Sequence, residues 1–446
     1  MRNTKIFIFA LAAVALLFAS CRKEADELLN PNARYANSYA QQFDAVWHGI
    51  DNCYVFWSRD NTDWDAIYTE YKPKFEAFDK ALETAIIQHT KKEEAVPDSV
   101  FTQMWIEVVG GLLDHHFVLT VRNYSTGSKL SIGGSAREVK KRPGYKATDK
   151  TAQYNALANH AKLDKLYVNT DNSVMRSALL TKSNGKKIAY FRLNGFNISN
   201  LFNGKGFTRG RSSFVPEASD NDAAFLRPLY YFFGRNWVQQ TYNTIVSGSN
   251  NDGWMNDDDV EGIIVDVRGN GGGNAGELTP VVGAFTQHDT HYGYSRTKEG
   301  LGRLDYSAWT PFILKTPKYH LNTAKPIVVL ADANSASCAE ITTQTIHSLP
   351  NGKFIGNRTC GATCPLLPGG FNTLLSGVFG NYDEYGYYCY TSNFDLVLTD
   401  CTSLEGVGVT PDYDVDYKGE DGKDEQLDAA IEYLETGTVS AQYLAK

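Results

Sequence analysis

The chain has 446 residues, of which 42% are hydrophobic and 21% charged, and its formal net charge is −8. That length and apolar content can fill the cores of two domains. The acidic balance, with no basic patch interleaved with aromatics, argues against a nucleic-acid partner.

At the amino terminus Arg2 and Lys5 precede an apolar run from Ile6 to Phe18, followed by Ala19-Ser20-Cys21. A basic start, a short apolar stretch and small residues make a secretory signal, too short to span a bilayer as a mature helix. The small residues leading into Cys21 resemble the lipobox of bacterial lipoproteins. That resemblance implies cleavage before Cys21, lipidation of its thiol and anchoring in a bacterial envelope, at the outer membrane and facing either the periplasm or the outside. Ordinary cleavage nearby, with Cys21 unmodified, is the alternative. Residues 22–34 read as a polar tether, and no later stretch is long and apolar enough to cross a membrane.

Residues 35–120 read as a helical domain. Tyr39, Phe43, Val46 and Trp47 recur at helical spacing, and so do Trp64, Ile67, Tyr68, Tyr71 and Phe75. Such stripes form core before they form ligand sites. Leu112-Leu113-Asp114-His115-His116-Phe117 closes this region. In an extended segment His115 and His116 point to opposite faces, so only one can serve a given site. Residues 121–183, rich in Lys, Asn, Gly and Ser, form a connecting region without a Gly-Leu-Gly-Phe-like loop, so no PDZ module is assigned there.

A further domain is expected over 184–435, with Lys187 to Leu193 as its first strand and a helix from Phe225 to about Ile245. Residues 250–259 follow as a solvated loop. Gly262 to Val267 is near-continuously apolar and β-branched, as a buried parallel strand would be. It runs into Arg268-Gly269-Asn270-Gly271-Gly272-Gly273. Consecutive glycines at a strand's carboxyl end let backbone N–H groups converge on an anion. Neither Walker spacing nor Gly-x-Gly-x-x-Gly opening a helix is present, so an oxyanion suits this turn better than a nucleotide phosphate. Asp266 and Arg268 would lock the turn by pairing with backbone or with each other.

Pro326 to Ala331 is another buried strand, and Glu340 to Ile346 can run as a helix. Between them lies Ser335-Ala336-Ser337-Cys338-Ala339-Glu340. A small-residue turn between strand and helix exposes a serine hydroxyl and aims helix N-terminal N–H groups at whatever it attacks. A serine there can equally be a helix cap. Strands alternate with helices through Val415, and Glu425 to Leu434 reads as a terminal amphipathic helix. The fold class is therefore α/β (α+β), a mixed sheet with flanking helices preceded by the helical domain.

Beyond Cys21 six cysteines remain, and six cysteines allow fifteen pairings. A Cys360–Cys364 bridge would stiffen the loop after Thr359, and Cys389 and Cys401 flank a plausible hairpin over 390–400. No cluster has zinc spacing, so neither metal nor cofactor is expected.

Four motifs in order resemble the carboxyl-terminal processing (tail-specific) serine peptidases. They are Asp266 to Gly273, Ser335 to Glu340, Phe354-Ile355-Gly356-Asn357-Arg358-Thr359-Cys360-Gly361, and Glu405-Gly406-Val407-Gly408-Val409-Thr410-Pro411-Asp412. The resemblance implies a crotonase-like or ClpP-like core and a polypeptide substrate. One branch of that family uses a Ser–Lys dyad, but its lysine position here is Ala362, with no lysine nearby. The other branch, similar to the tricorn core, uses serine, histidine and glutamate. By that resemblance Ser337 is the nucleophile, His116 the general base, with His115 the alternative, and Glu405 the support. The N–H of Cys338 and one from Gly271 or Gly272 would form the oxyanion hole. In tricorn-like relatives a serine often precedes the histidine and joins the network, and here that position is His115. A cysteine-peptidase role for Cys338 and an esterase, which would need a Gly-x-Ser-x-Gly elbow, are weaker readings. The rival from another class is a catalytically silent relative that binds polypeptides or glycans at the envelope.

Overall fold

The computed structural model describes residues 34–169, 175–198, 215–216, 221–247, 250–364 and 377–445. The signal and lipidation expectation at Cys21 lies outside these. In chain order the elements used below are α1 (Tyr39–Cys53), α2 (Trp64–Ile87), α3 (Asp98–Val109), β1 (Val118–Arg122), β2 (Lys129–Gly133), α4 (Lys150–Ala158), β3 (Leu163–Val168), β4 (Met175–Thr181) and β5 (Lys187–Leu193). They continue with α5 (Asn221–Phe233), α6 (Arg235–Tyr242), β6 (Val260–Asp266), β7 (Thr290–Thr297), β8 (Thr310–Leu314), β9 (Ile327–Ala331), α7 (Cys338–Ser348), β10 (Gly352–Gly356) and β11 (Val378–Asn381). The last are α8 (Tyr382–Tyr385), β12 (Tyr387–Tyr390), β13 (Phe394–Leu398), β14 (Tyr413–Asp414) and α9 (Glu425–Thr436).

The chain divides into two units. One contains Met1–Gly134, Arg296–Ala308 and Leu366–Asp395; the other contains Ser135–Ser295, Trp309–Pro365 and Leu396–Lys446. In the first, Ser38 caps α1 through the Gln41 N–H, and the Asp79 carboxylate takes the N–H groups of Tyr39 and Ala40. The aromatic stripe of α1 packs as its spacing predicts. Phe43 stacks on Phe75 with centroids 4.7 Å apart, and Trp47 stacks on Trp64 at 6.1 Å. Each indole N–H donates to the other tryptophan's backbone carbonyl, at 2.8 and 3.2 Å, so the buried rings leave no donor unpaired. A sheet of order β11-β12-β1-β2, antiparallel at every described pairing, completes this unit.

The second unit is built on a sheet of order β14-β10-β9-β6-β5-β4-β3. From β5 to β14 its strands are parallel, while β3, β4 and β5 pair antiparallel. All five residues of β9 are buried, which is why that strand reads as a continuous apolar run. Leu427, Ala430, Ile431 and Leu434 of α9 pack on Ile264, Val328, Leu330 and Ile355. Because β6, β9 and β10 are parallel neighbours, the turns that leave their carboxyl ends emerge side by side.

Three expectations are corrected. The connecting region 121–183 is not a linker: β3 and β4 belong to the main sheet, which therefore starts before residue 184. Residues 296–308 and 366–395 fall with the helical unit although they lie inside 184–435. A regular strand pairing keeps its register by contacts distant in sequence, so polar edge strands such as β3 carry little local signal. The helix expected over 225–245 breaks at Gly234, which sits at φ +94°. A Cβ there would lie 2.6 Å from the backbone of Asp252, and one on the facing Gly253 would lie 2.4 Å from the Phe232 carbonyl. Only two glycines permit so close a backbone crossing.

The suggested disulfides do not form either, and the described cysteines are thiols. Cys389 lies on β12, and β12 and β13 join different sheets rather than closing a hairpin.

Candidate active site

In the second unit Ser337 stands at the start of α7, after the turn leaving β9. Its backbone is at φ 59° and ψ −124°, a conformation that costs a non-glycine residue about 1–3 kcal/mol. Its side chain makes no capping hydrogen bond to the helix. The bland capping role is therefore not what this hydroxyl does. The strain is held by main-chain bonds: the Ser337 N–H donates to the Ala362 carbonyl at 2.7 Å, and the Ala336 N–H to the Asn270 carbonyl at 2.9 Å.

The glycine turn after β6 lies against this serine. A Cβ on Gly272 would be 2.4 Å from the Ser337 Cβ and 2.9 Å from its Oγ, so the backbone can approach only as glycine. The Gly272 N–H is already engaged, donating to Asn270 Oδ1 at 2.8 Å. Among the described residues no acceptor is found for the N–H of Gly271, which is exposed, or for that of Cys338 at the first turn of α7. A backbone N–H with no internal acceptor is one that can meet developing negative charge.

Asp266 and Arg268 fix the turn. Arg268 donates to both Asp266 oxygens and to both oxygens of Asp424, and Arg192 adds 3.0 Å to Asp266 and 3.2 Å to the Arg268 carbonyl. All four side chains are buried. Burial alone would raise the Asp266 carboxyl, but the two guanidiniums outweigh it and hold it well below the ordinary range. Removing one partner of such a buried pair typically costs about 3–5 kcal/mol.

The turn leaving β10 is gripped by two buried carboxylates. Glu340 Oε1 accepts from the Thr359 hydroxyl at 2.5 Å and the Gly361 N–H at 2.7 Å, and Oε2 from the Ala362 N–H at 2.7 Å. Glu405 Oε2 accepts from the N–H groups of Thr363 and Cys364 at 2.7 and 2.8 Å. On its other side Arg142 donates to the Thr359 and Cys360 carbonyls at 2.6 and 3.0 Å. Ala362, where the dyad branch carries lysine, contributes only backbone. Burial pushes the Cys338 thiol up to about 11, which removes the thiolate a cysteine nucleophile would need.

His116 belongs to the first unit. Its N–H donates to Asp114 Oδ1 at 2.8 Å, and its Nδ1 lies 3.5 Å from Ser392 Oγ, a long contact. Asp114 is buried and also accepts from the Thr391 hydroxyl, the Ser392 N–H and the Ser392 hydroxyl at 2.5, 2.7 and 3.0 Å. It thus orients the histidine segment, as its position beside His116 suggests. Desolvation lowers the imidazole pKa, with the Asp114 charge opposing. His115 is partly exposed on the neighbouring position. Thr391, Ser392, Arg192, Asp424 and the clamping role of Glu340 escape a reading of the sequence. None stands in a recognisable spacing, and only folding brings each to its partner.

The peptidase family S41 pattern matches residues 249–415, which include the glycine turn, Ser337, Ala362 and Glu405, and a Tricorn protease C1 domain pattern matches residues 35–80. Residues 249–415 are thus similar to a peptidase family S41 domain. The chain is similar to the tricorn protease of Thermoplasma acidophilum, 26% identical over 185 residues, covering 41% of this chain and 15% of that protein. The tricorn protease of Thermoplasma volcanium gives 27% over 177 residues, 39% of this chain and 14% of that one. The chain thus matches only about a seventh of the length of these curated relatives. Among solved structures, a Parabacteroides merdae protein described as a peptidase aligns at TM-score 0.55 and 17% identity, over 91% of this chain and 100% of its own. Mature CPAF aligns at 0.53 and 12%, over 92% and 99%. At those identities the likeness is one of fold. The four ordered motifs lie in the stretch that matches the S41 pattern.

Proposed function

We propose that this protein is an exported, lipid-anchored serine endopeptidase that cuts polypeptides of the envelope or outside it, with Ser337 as nucleophile, His116 as general base and Glu405 in support. The observation that carries this reading is the strained, uncapped Ser337 beside a glycine turn. In it, Ser337 Oγ attacks the scissile carbonyl while the imidazole of His116 takes its proton and returns it to the leaving amine. The oxyanion is met by the N–H groups of Gly271 and Cys338, each such donor being worth about 2.7–4 kcal/mol in the transition state. Water then releases the acyl group by the same steps in reverse order. Glu405 fixes the backbone of Thr363 and Cys364 and so holds the turn from which Ala362 supports Ser337.

The test is incubation of the full chain and Ser337→Ala with unfolded casein and an alkyl fluorophosphonate. Hydrolysis and labelling are expected from the first and, on the order of 10⁵-fold or more reduced, from the second. Equal behaviour of both would leave a silent binding protein instead. The anchor rests on the Ala19-Ser20-Cys21 segment, and Cys21→Ser is expected to move the protein from the membrane to the soluble fraction. No helix among the described residues is long and apolar enough to cross a membrane.

A further inference from the structure

Glu340 is a buried carboxylate that the proposed chemistry leaves unused. It lies one helical turn after Ser337 on α7 and is fully buried, and its own N–H donates to the Ser337 carbonyl at 2.8 Å. Its two oxygens take the Thr359 hydroxyl and the N–H groups of Gly361 and Ala362. The Thr359 hydroxyl oxygen in turn accepts from the Val409 N–H at 2.7 Å. The carbonyl of the clamped Ala362 is the acceptor for the Ser337 N–H. A continuous path of hydrogen bonds therefore leads from the carboxylate, through one peptide unit, to the strained backbone of the nucleophile.

We propose that Glu340 is a positioning residue for Ser337: its carboxylate clamps the 359–362 turn, and loss of that charge lets the turn and the serine backbone relax, which slows acylation. This rests on the reading of Ser337 as nucleophile. A carboxylate accepts all three donors, whereas a neutral carboxyl or an amide turns one of its two heavy atoms into a donor facing an N–H. The charged and titratable neighbours include Arg142 from the segment before α4, Cys360 on the clamped turn, Tyr292 on β7 and, on the next two amides of that turn, Glu405. Burial raises the Glu340 carboxyl to about 7 against the hydrogen bonds from Thr359, Gly361 and Ala362, so the clamp changes charge near neutral pH.

The sign separates this from acid unfolding. A carboxyl whose pKa is raised by folding binds its proton more tightly in the native state, so it adds stability as the pH falls through 7. Reactivity should therefore drop on the acid side while the thermal midpoint does not. Phosphonylation of Ser337 is measured from pH 5 to 9, together with kcat and KM on casein peptides and the thermal midpoint. At pH 8 Glu340→Gln is expected to react about 10- to 100-fold more slowly, with KM within about threefold, since a displaced reacting group costs rate before it costs binding. Its acid limb should move to lower pH, leaving only the imidazole, whose own pKa is lowered. Thr359→Val, which removes one donor, should lose about 3- to 10-fold in the same direction.

Equal rates and an unshifted acid limb in Glu340→Gln would overturn the inference. If that variant does not fold, the full chain and Thr359→Val carry the test, and the absence of any fall in reactivity between pH 8 and 6 overturns it. A full chain that does not react with the probe at any pH removes the peptidase reading, and this inference with it.

Discussion

Ser337 and His116 are held in opposite ways. The serine's surroundings are mostly main chain: a positive φ, two backbone hydrogen bonds to neighbouring turns, and a glycine whose Cβ would collide with the serine's own. The histidine's are mostly side chain: Asp114 takes its N–H, and Thr391 and Ser392 reach that carboxylate from far along the chain. Main-chain constraints restrict which residue types fit, so they leave glycines and small residues in order along the sequence. Side-chain constraints leave a serine or a threonine that looks like any other. The surroundings of Ser337 are legible in the sequence, whereas those of His116 are not, although the histidine itself is.

That contrast can be broken at three places. The largest effect is expected for His116→Ala, with a loss on the order of 10⁴-fold or more in kcat. His115→Ala should stay within about tenfold; if the two results were exchanged, the base would be the other imidazole. Next is Gly272→Ala, where the added methyl at φ +92° would meet the Ser337 Cβ. Kinetics on the probe should show a loss of about 10²-fold or more, with circular dichroism unchanged, because small displacements at a reacting centre cost that much. An alanine variant of full activity would mean that the turn and the serine separate freely. The smallest is Ser392→Ala, which removes one acceptor or donor beside Asp114 and His116 and should lower kcat by no more than about tenfold. A loss as large as that of His116→Ala would make Ser392 a member of the catalytic set rather than a support.

The same logic explains the rest of the comparison between sequence and structure. The strands β6 and β9 were readable because burial on both faces enforces an unbroken apolar run. The strands β3 and β4 fell in a polar stretch because β3 is half exposed at the sheet's edge. The break at Gly234 was invisible because its cause, the crossing with Gly253, involves a residue on another segment. The aromatic stripe of α1 gave the core of the first unit, but nothing local could assign residues 296–308 and 366–395 to it.

By itself the chain determined the serine, the glycine turn, the absence of a dyad lysine at Ala362, and the acidic residues Asp266, Glu340 and Glu405. These follow from what a peptide backbone tolerates and from the order of residues along it. Tertiary structure alone decided what those carboxylates hold: Asp266 two buried guanidiniums, Glu340 and Glu405 the successive amides of one turn. A carboxylate in a sequence carries the same charge wherever it lands, and only burial and the donors around it turn that charge into a fixed position for a neighbouring hydroxyl.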